Sequence, residues 1–270
     1  MSTEALSPAP LLHVSQLSKA FRGVQALHDY TLTLQPRTLL GVIGPNGAGK
    51  TTLFNLLTGV VSPDRGRILF NGQDITGASP DAIVRAGIAR TFQNIRLFRR
   101  MSVLDNVKVA LQSTQPFRLA EAVLRLPRFV AQEQALEERA KALLAMLELE
   151  PYAAMPADSL PYGLQRRLEI AMALATNPKL LLLDEPAAGM NPTEANALMH
   201  LIARLRDELK LTIILIEHNM RVVMGICERV QVLNYGEIIA EGTPEAIQND
   251  TRVLRAYLGT VHSEPNHARA

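Results

Sequence analysis

Gly44, Gly49, Lys50 and Thr51 follow the spacing G-x-x-x-x-G-K-T within the stretch GPNGAGKTT, Gly44 to Thr52. Glycines at these places let several backbone N–H groups converge on phosphate oxygens, and a following helix N-terminus adds positive potential. Lys50 can neutralise the charge of a terminal phosphate, and the Thr51 hydroxyl can hold Mg²⁺. A second group is Asp184 and Glu185, which end the run KLLLLDE. At the carboxyl end of a buried strand, where open α/β sheets bind ligands, the Asp can enter a Mg²⁺ shell. The Glu can orient or deprotonate a water attacking a terminal phosphoryl group. Taken alone, the two could equally be solvated acids at a strand end. His218, just after TIILIE, falls at the end of another strand, where it could touch the same phosphate or serve a structural purpose. Gln93, in RTFQN, can offer its carbonyl oxygen to a metal or a water, or simply lie on the surface.

Positioning these groups takes strands that end on one rim. Leu39 to Ile43 is apolar without alternation, as in a strand covered on both faces, and runs directly into the glycine loop and then a helical pattern. Further strands are predicted over Gly66–Phe70, Lys179–Leu183, Thr212–Ile216 and Val230–Asn234, with helical patterns between them, so the sheet should be mainly parallel. Ahead of it, from Leu11, the runs LLHV and TLTL alternate with turn-like RG and QP pairs, which predicts strands and hairpins. An insert over roughly residues 94–175, rich in Ala, Leu, Glu and Arg and punctuated by Pro127 and Pro151, reads as a helical lobe. The first ten residues and the last ten, VHSEPNHARA, read as loose ends.

Composition narrows the alternatives. With 270 residues the chain can build one large domain or two small ones, and 47% hydrophobic against 20% charged residues is globular rather than disordered. The 28 Lys and Arg against 26 Asp and Glu give a net charge of +2, far from the excess of a dedicated nucleic-acid binder. A single cysteine, Cys227, excludes an internal disulfide and a multi-cysteine zinc site, fits a cytosolic compartment, and is expected to pack as a small buried residue. Apolar runs stay well short of the ~18 residues that span a bilayer, and the start lacks a basic segment followed by an apolar one.

The order of motifs resembles that of ABC transporter ATPases. It comprises GPNGAGKTT, Gln93, LPYGLQRR at Leu160 to Arg167, LLLLDEP at Leu180 to Pro186, AGMNP at Ala188 to Pro192, and His218, and the match runs from about Leu11 to Gly259. Within that superfamily, RTFQNIRLFRRMSVLDNV, the helical insert, RRLEIAMALATNPKLLLLDEPAAGMNP and the terminal RAYLG resemble the larger ATPase of bacterial branched-chain amino acid importers. The resemblance implies a P-loop α/β core with a mainly parallel sheet, an N-terminal antiparallel β subdomain and a helical subdomain. All would belong to one domain over 11–260, with the core in 11–92 and 176–260.

It also implies roles. Phe21 would stack on adenine, and Gly44, Pro45, Asn46, Gly47, Ala48, Gly49, Lys50, Thr51 and Thr52 would bind ATP. Gln93 would link Mg²⁺ to a permease contact, joining Thr51 and Asp184 around the metal, and His218 would sense the γ-phosphate beside the catalytic Glu185. Tyr162, Gly163 and Gln165 would reach the ATP of a second ATPase subunit, a paralogue or a second copy, in a head-to-tail pair. The pair would drive two membrane permease subunits from the cytoplasmic face of the bacterial inner membrane. A separate binding protein would supply the solute, and nucleic acid would play no part. The same motor could serve urea, short amides or other amino acids, or lipopolysaccharide export; a soluble ABC ATPase outside transport is the reading from another class.

Two positions depart from the family pattern. Pro161 replaces the serine expected at the second position of the signature and can donate no hydrogen bond. Asn191 stands where many relatives carry an aspartate at the subunit seam. Arg96, Arg99 and Arg100 form a basic cluster that could meet permease loops or anionic headgroups, or be a solvated face.

Overall fold

Leu39–Ile43 (β3) is buried at every residue, as its unbroken apolar run requires. The computed structural model describes residues 9–113, 127–218 and 220–258. They belong to two compact units, Met1–Pro80 with Thr212–Ala270, and Asp81–Leu211.

In the first unit, β3 is flanked by parallel β8 (Thr212–Ile216) and β9 (Arg229–Asn234), and β9 pairs antiparallel with β10 (Glu237–Gly242). Gly41 lets β3 lie against α7 (Met220–Ile226) and the residue that follows it: a Cβ there would sit 2.8 Å from Val223 Cγ1 and 3.0 Å from Cys227 Sγ. Cys227 is buried in this contact. A separate antiparallel sheet has the order β2-β1-β4-β5, from β1 (Leu12–Phe21), β2 (Val24–Leu34), β4 (Arg65–Phe70) and β5 (Gln73–Asp74). The β1–β2 turn places both Arg22 (φ 48) and Gly23 (φ 86) in the left-handed region, the hairpin geometry whose twist suits the strands. The unit's helices are α1 (Lys50–Leu57), α7, α8 (Pro244–Gln248) and α9 (Thr251–Leu258).

In the second unit, β6 (Ile88–Arg90) pairs in parallel with the wholly buried β7 (Leu180–Asp184). Around them stand α2 (Pro80–Ala86), α3 (Val103–Gln112), α4 (Pro127–Met146), α5 (Tyr162–Ala175) and α6 (Pro192–Leu209). Helix α3 starts at Ser102, whose hydroxyl accepts from Asp105 N–H, and buries Val103, Val107 and Leu111. The facing stripe of α4 is Leu136, Ala140 and Leu144, at helical spacing. Glu148 ties the end of this lobe to Arg167 of α5 and Arg204 of α6.

The mainly parallel sheet, the antiparallel β layer and the helical insert are all present, but the strand predicted over Gly66–Phe70, expected among the parallel strands, is β4 of the antiparallel sheet, paired with β1 and β5. The strand predicted over Lys179–Leu183 is shifted by one, because the ladder from β6 pairs Ile88 with Leu180 and continues through Thr91 N–H to the Leu182 carbonyl. Asp184 is therefore the last residue of β7 rather than the first beyond it. Strands β6 and β10 were not expected: three residues are too few to show a period, and β10 mixes exposed and buried positions. The loose ends lie mostly outside the described residues, as do residues 114–126 of the insert. Among the described residues, no helix is long and apolar enough to cross a membrane.

Candidate functional site

The first unit carries the phosphate loop. It leaves β3 at Gly44 and enters α1 at Lys50. A Cβ on Gly44 (φ 152) would meet the Leu233 carbonyl oxygen at 2.1 Å, and one on Gly49 (φ 103) the Ala26 oxygen at 2.5 Å, so only glycine lets the loop lie this close to β2 and β9. Hydrogen bonds hold it there: Gly236 N–H donates to the Ala48 carbonyl at 3.0 Å and Ala48 N–H to the Pro45 carbonyl at 3.1 Å. Asn46 and Gly47 face outward, and nothing lies within 4 Å of where a Gly47 side chain would start. The loop thus has a rigid back and an open front.

Lys50 is buried, and its ammonium donates to the carbonyls of Gly44 (2.7 Å) and Pro45 (3.0 Å). A buried cation at a helix N-terminus beside an open glycine loop fits an anionic phosphate chain. Thr51 is exposed and Thr52 half-buried on the first turn of α1. Phe21, at the end of β1, is 44% exposed with the Lys19 ammonium 5.6 Å from its ring centroid, which leaves an aromatic face on the surface. His218 is exposed, two residues beyond β8.

The second unit carries the carboxylates. Asp184 is buried, its carboxylate accepts from Arg90 Nη2 at 2.7 Å, and its backbone N–H donates to Thr91 Oγ1 at 3.3 Å. Glu185 turns the chain with a left-handed φ of 46°, and its Oε2 accepts from Gln93 Nε2 at 3.3 Å. Gln93 and Glu185, separated by more than ninety positions, are thus brought together, with the Gln93 carbonyl oxygen at the amide's other end. Arg90 was missed by sequence reasoning: it sits in a three-residue strand that gives no pattern. Among the described residues no three His, Cys, Asp or Glu cluster as a metal cage. The Asp184 carboxylate and the Gln93 side-chain carbonyl are hard oxygen donors of the kind that suits Mg²⁺ held by one or two protein oxygens together with substrate phosphates.

In the segment LPYGLQRR, Pro161 occupies the N-cap of α5 without a side-chain cap, and Leu164 and Gln165 N–H both donate to its carbonyl at 3.0 Å. Tyr162 is 44% exposed, Gly163 and Gln165 are half-buried, and Gln165 Nε2 donates to the Leu160 carbonyl at 2.8 Å. A cavity of about 230 Å³ opens between this segment and Met190, Thr193 and Glu194. Asn191 has a job that sequence reasoning did not foresee: its side chain accepts from Glu194 N–H at 2.9 Å while Glu194 accepts from Asn191 N–H at 3.2 Å, a complete capping box for α6. Arg96, Arg99 and Arg100 are exposed, and the Arg96 guanidinium lies 4.0 Å from the Phe92 ring centroid.

Residues 27–188 match the family model described as ABC transporter, and residues 237–263 one described as branched-chain amino acid ATP-binding cassette transporter. The chain is 47% identical over 251 residues to the high-affinity branched-chain amino acid transport ATP-binding protein LivG of Escherichia coli K12, covering 93% of this chain and 98% of that one. It is 43% identical over 250 residues to BraF of Pseudomonas aeruginosa, which bears the same description, with coverages of 93% and 98%. The ADP conformation of MJ1267, a solved ATP-binding cassette of an ABC transporter, superposes with a TM-score of 0.81 at 30% identity, covering 93% and 99% of the two chains. Open phosphate loop, strand-end carboxylates and these likenesses agree: the chain belongs to the ABC transporter family, as an ATP-hydrolysing ATP-binding cassette.

Proposed function

We propose that this cassette powers the import of branched-chain amino acids. The observation that carries the cargo is the match of residues 237–263 to the branched-chain model, supported by the likeness to two proteins of that description. The working assembly is a head-to-tail pair of ATPases on two membrane permease subunits, at the cytoplasmic face of the inner membrane, with solute delivered by a separate binding protein. One domain spans 11–260, its helical subdomain being the insert at about 94–175.

In this reading the backbone of Gly44 to Gly49 and the start of α1 bind the phosphates, and Lys50 offsets their charge before any bond breaks. Thr51, Asp184 and Gln93 would supply oxygens for Mg²⁺, which would offset the charge of the phosphates. Glu185 orients and deprotonates the attacking water, with Gln93 fixing one carboxylate oxygen. His218 touches the γ-phosphate, Phe21 offers its exposed ring to adenine, and Thr52 completes the loop's donors. Tyr162, Gly163 and Gln165 present the start of α5 to the ATP of the partner subunit.

The test is to co-express the chain with candidate permease subunits and a second ATPase, purify the complex, and follow ATP-driven uptake of labelled leucine into vesicles. Leucine uptake that requires ATP and is lost with Glu185→Gln is expected. Uptake of urea or a short amide in preference to leucine would overturn the cargo while keeping the motor.

A further inference from the structure

Arg166, on the second turn of α5, is 2% exposed, and its guanidinium is engaged with main chain from a distant part of the same unit. Nη1 donates to the Phe92 carbonyl at 2.7 Å and to Glu169 Oε2 at 2.9 Å. Nη2 donates to the Gln93 carbonyl and to the Tyr162 hydroxyl at 3.1 Å. Glu169 completes the grip, its Oε1 accepting from Phe92 N–H at 3.1 Å. The stretch Arg90 to Gln93 is also fastened to β7 and Glu185: Arg90 to Asp184 at 2.7 Å, Thr91 N–H to the Leu182 carbonyl at 3.0 Å, and Gln93 Nε2 to Glu185 Oε2 at 3.3 Å.

Packing α5 against its neighbours does not call for this arrangement. Two buried charges carry a desolvation cost that an apolar pair would avoid. What the charges add is geometry: the two terminal nitrogens of a planar guanidinium hold donors in a fixed fork and here serve four acceptors, the Phe92 and Gln93 carbonyls, Glu169 and Tyr162, one more than the three donors of a lysine ammonium could serve. Burial pushes the Glu169 carboxyl up, while the Phe92 N–H and then Arg166 act to lower it. At its outer end the arrangement reaches Tyr162, whose ring lies 5.5 Å from the guanidinium carbon and also borders Gly189, four residues past Glu185.

We propose that Arg166, together with Glu169, is a positioning residue for ATP hydrolysis. The pair fixes the Phe92–Gln93 backbone so that the Gln93 side chain holds Glu185, and it links that setting to the exposed Tyr162. A displacement of Tyr162 is thereby passed to Gln93 through one guanidinium. This rests on Glu185 being the group that handles water.

The test uses the purified complex of this chain with its ATPase partner and permeases, the chain carrying Arg166→Met/Glu169→Met, which removes both charges so that neither is left buried alone, or Arg166→Lys, or Tyr162→Phe. Four quantities are measured: thermal midpoint, affinity for a fluorescent ATP analogue, single-turnover hydrolysis, and hydrogen exchange of the Phe92 amide. For the double variant, affinity is expected to stay within about twofold while hydrolysis falls by about ten- to a hundredfold and the Phe92 amide exchanges faster. Arg166→Lys should fall between the double variant and the parent, and Tyr162→Phe should slow hydrolysis at an unchanged thermal midpoint. Unchanged hydrolysis in the double variant overturns the proposal, as does a loss of affinity, hydrolysis and thermal midpoint in parallel. Should the double variant not fold, normal hydrolysis by both Arg166→Lys and Tyr162→Phe overturns it. Glu185→Gln, run alongside, separates the two readings: if it hydrolyses normally the water-handling role fails, and if it is blocked while the other variants hydrolyse normally, only the role of Arg166 and Glu169 fails.

Discussion

The Lys50 ammonium, buried and donating to the carbonyls of Gly44 and Pro45, attracts phosphate before any bond breaks, so its effect falls on binding. Lys50→Ala is expected to weaken ATP binding by about 1.5–3 kcal/mol, the worth of a hydrogen bond to a charged group, or roughly ten- to a hundredfold in Kd. An equilibrium titration with a fluorescent nucleotide reads it. Glu185 acts later. Glu185→Gln keeps shape and hydrogen-bonding capacity but removes the base, so affinity should hold while phosphate release falls by about 10²–10⁴-fold. Equal losses of binding in the two variants would contradict this division. Lys50 and Glu185 were legible because a loop motif and a strand-end acid pair each sit within ten residues of sequence. Arg90 and Arg166 were not, because their partners, Asp184 and the Phe92–Gln93 carbonyls, lie more than seventy positions away.

At the scale of elements, each helix that presents a motif depends on how it starts. Helix α6 begins with the capping box of Asn191 and Glu194 and with Pro192 in its first turn. Asn191→Ala should cost about 0.5–2 kcal/mol by orphaning a backbone N–H, whereas Asn191→Asp, which keeps the acceptor, should cost little. Thermal melts of the two variants distinguish a cap from a purely partner-facing residue. At the start of α9, Asp250 accepts from Arg252 N–H at 2.8 Å and pairs with the Arg252 side chain. The Arg252 side chain and then its backbone N–H hold the Asp250 pKa down at about 2, from an ordinary 3.8. A depressed carboxylate contributes stability that is present above the unfolded pKa and is lost as pH falls through the folded one. The contribution of Asp250 should therefore fade between about pH 4 and pH 2, and Asp250→Asn should flatten the stability curve in that window. Equilibrium unfolding at several acidic pH values checks it. Elements with a repeating pattern, such as β3, β7 and β8, could be placed from sequence to within a residue. Strand β6 could not, since it has three residues and is defined by its pairing with β7.

For the whole molecule the open question of assembly turns on one atom. The N-cap of α5 is Pro161, with no side-chain cap and no hydroxyl to offer the nucleotide of a partner subunit. A homodimer would carry this defect at both composite sites, whereas pairing with a second ATPase bearing a serine there would leave one intact. Losing a hydrogen bond to a charged phosphate at each site costs about 1.5–3 kcal/mol, enough to move closure of a symmetric pair by more than tenfold. The Glu185→Gln chain, which binds ATP without turning it over, is therefore expected to remain monomeric in Mg-ATP by light scattering and to dimerise once Pro161→Ser is added. Folding stability should change little on Pro161→Ser, because a cap gain of about 1 kcal/mol is offset by about 0.4–1 kcal/mol of restored unfolded-state entropy. A new dimer would then report the hydroxyl itself. A dimer in the Pro161 chain would instead show that the backbone N–H groups of Tyr162 and Gly163 suffice, and the motor could work as two identical halves.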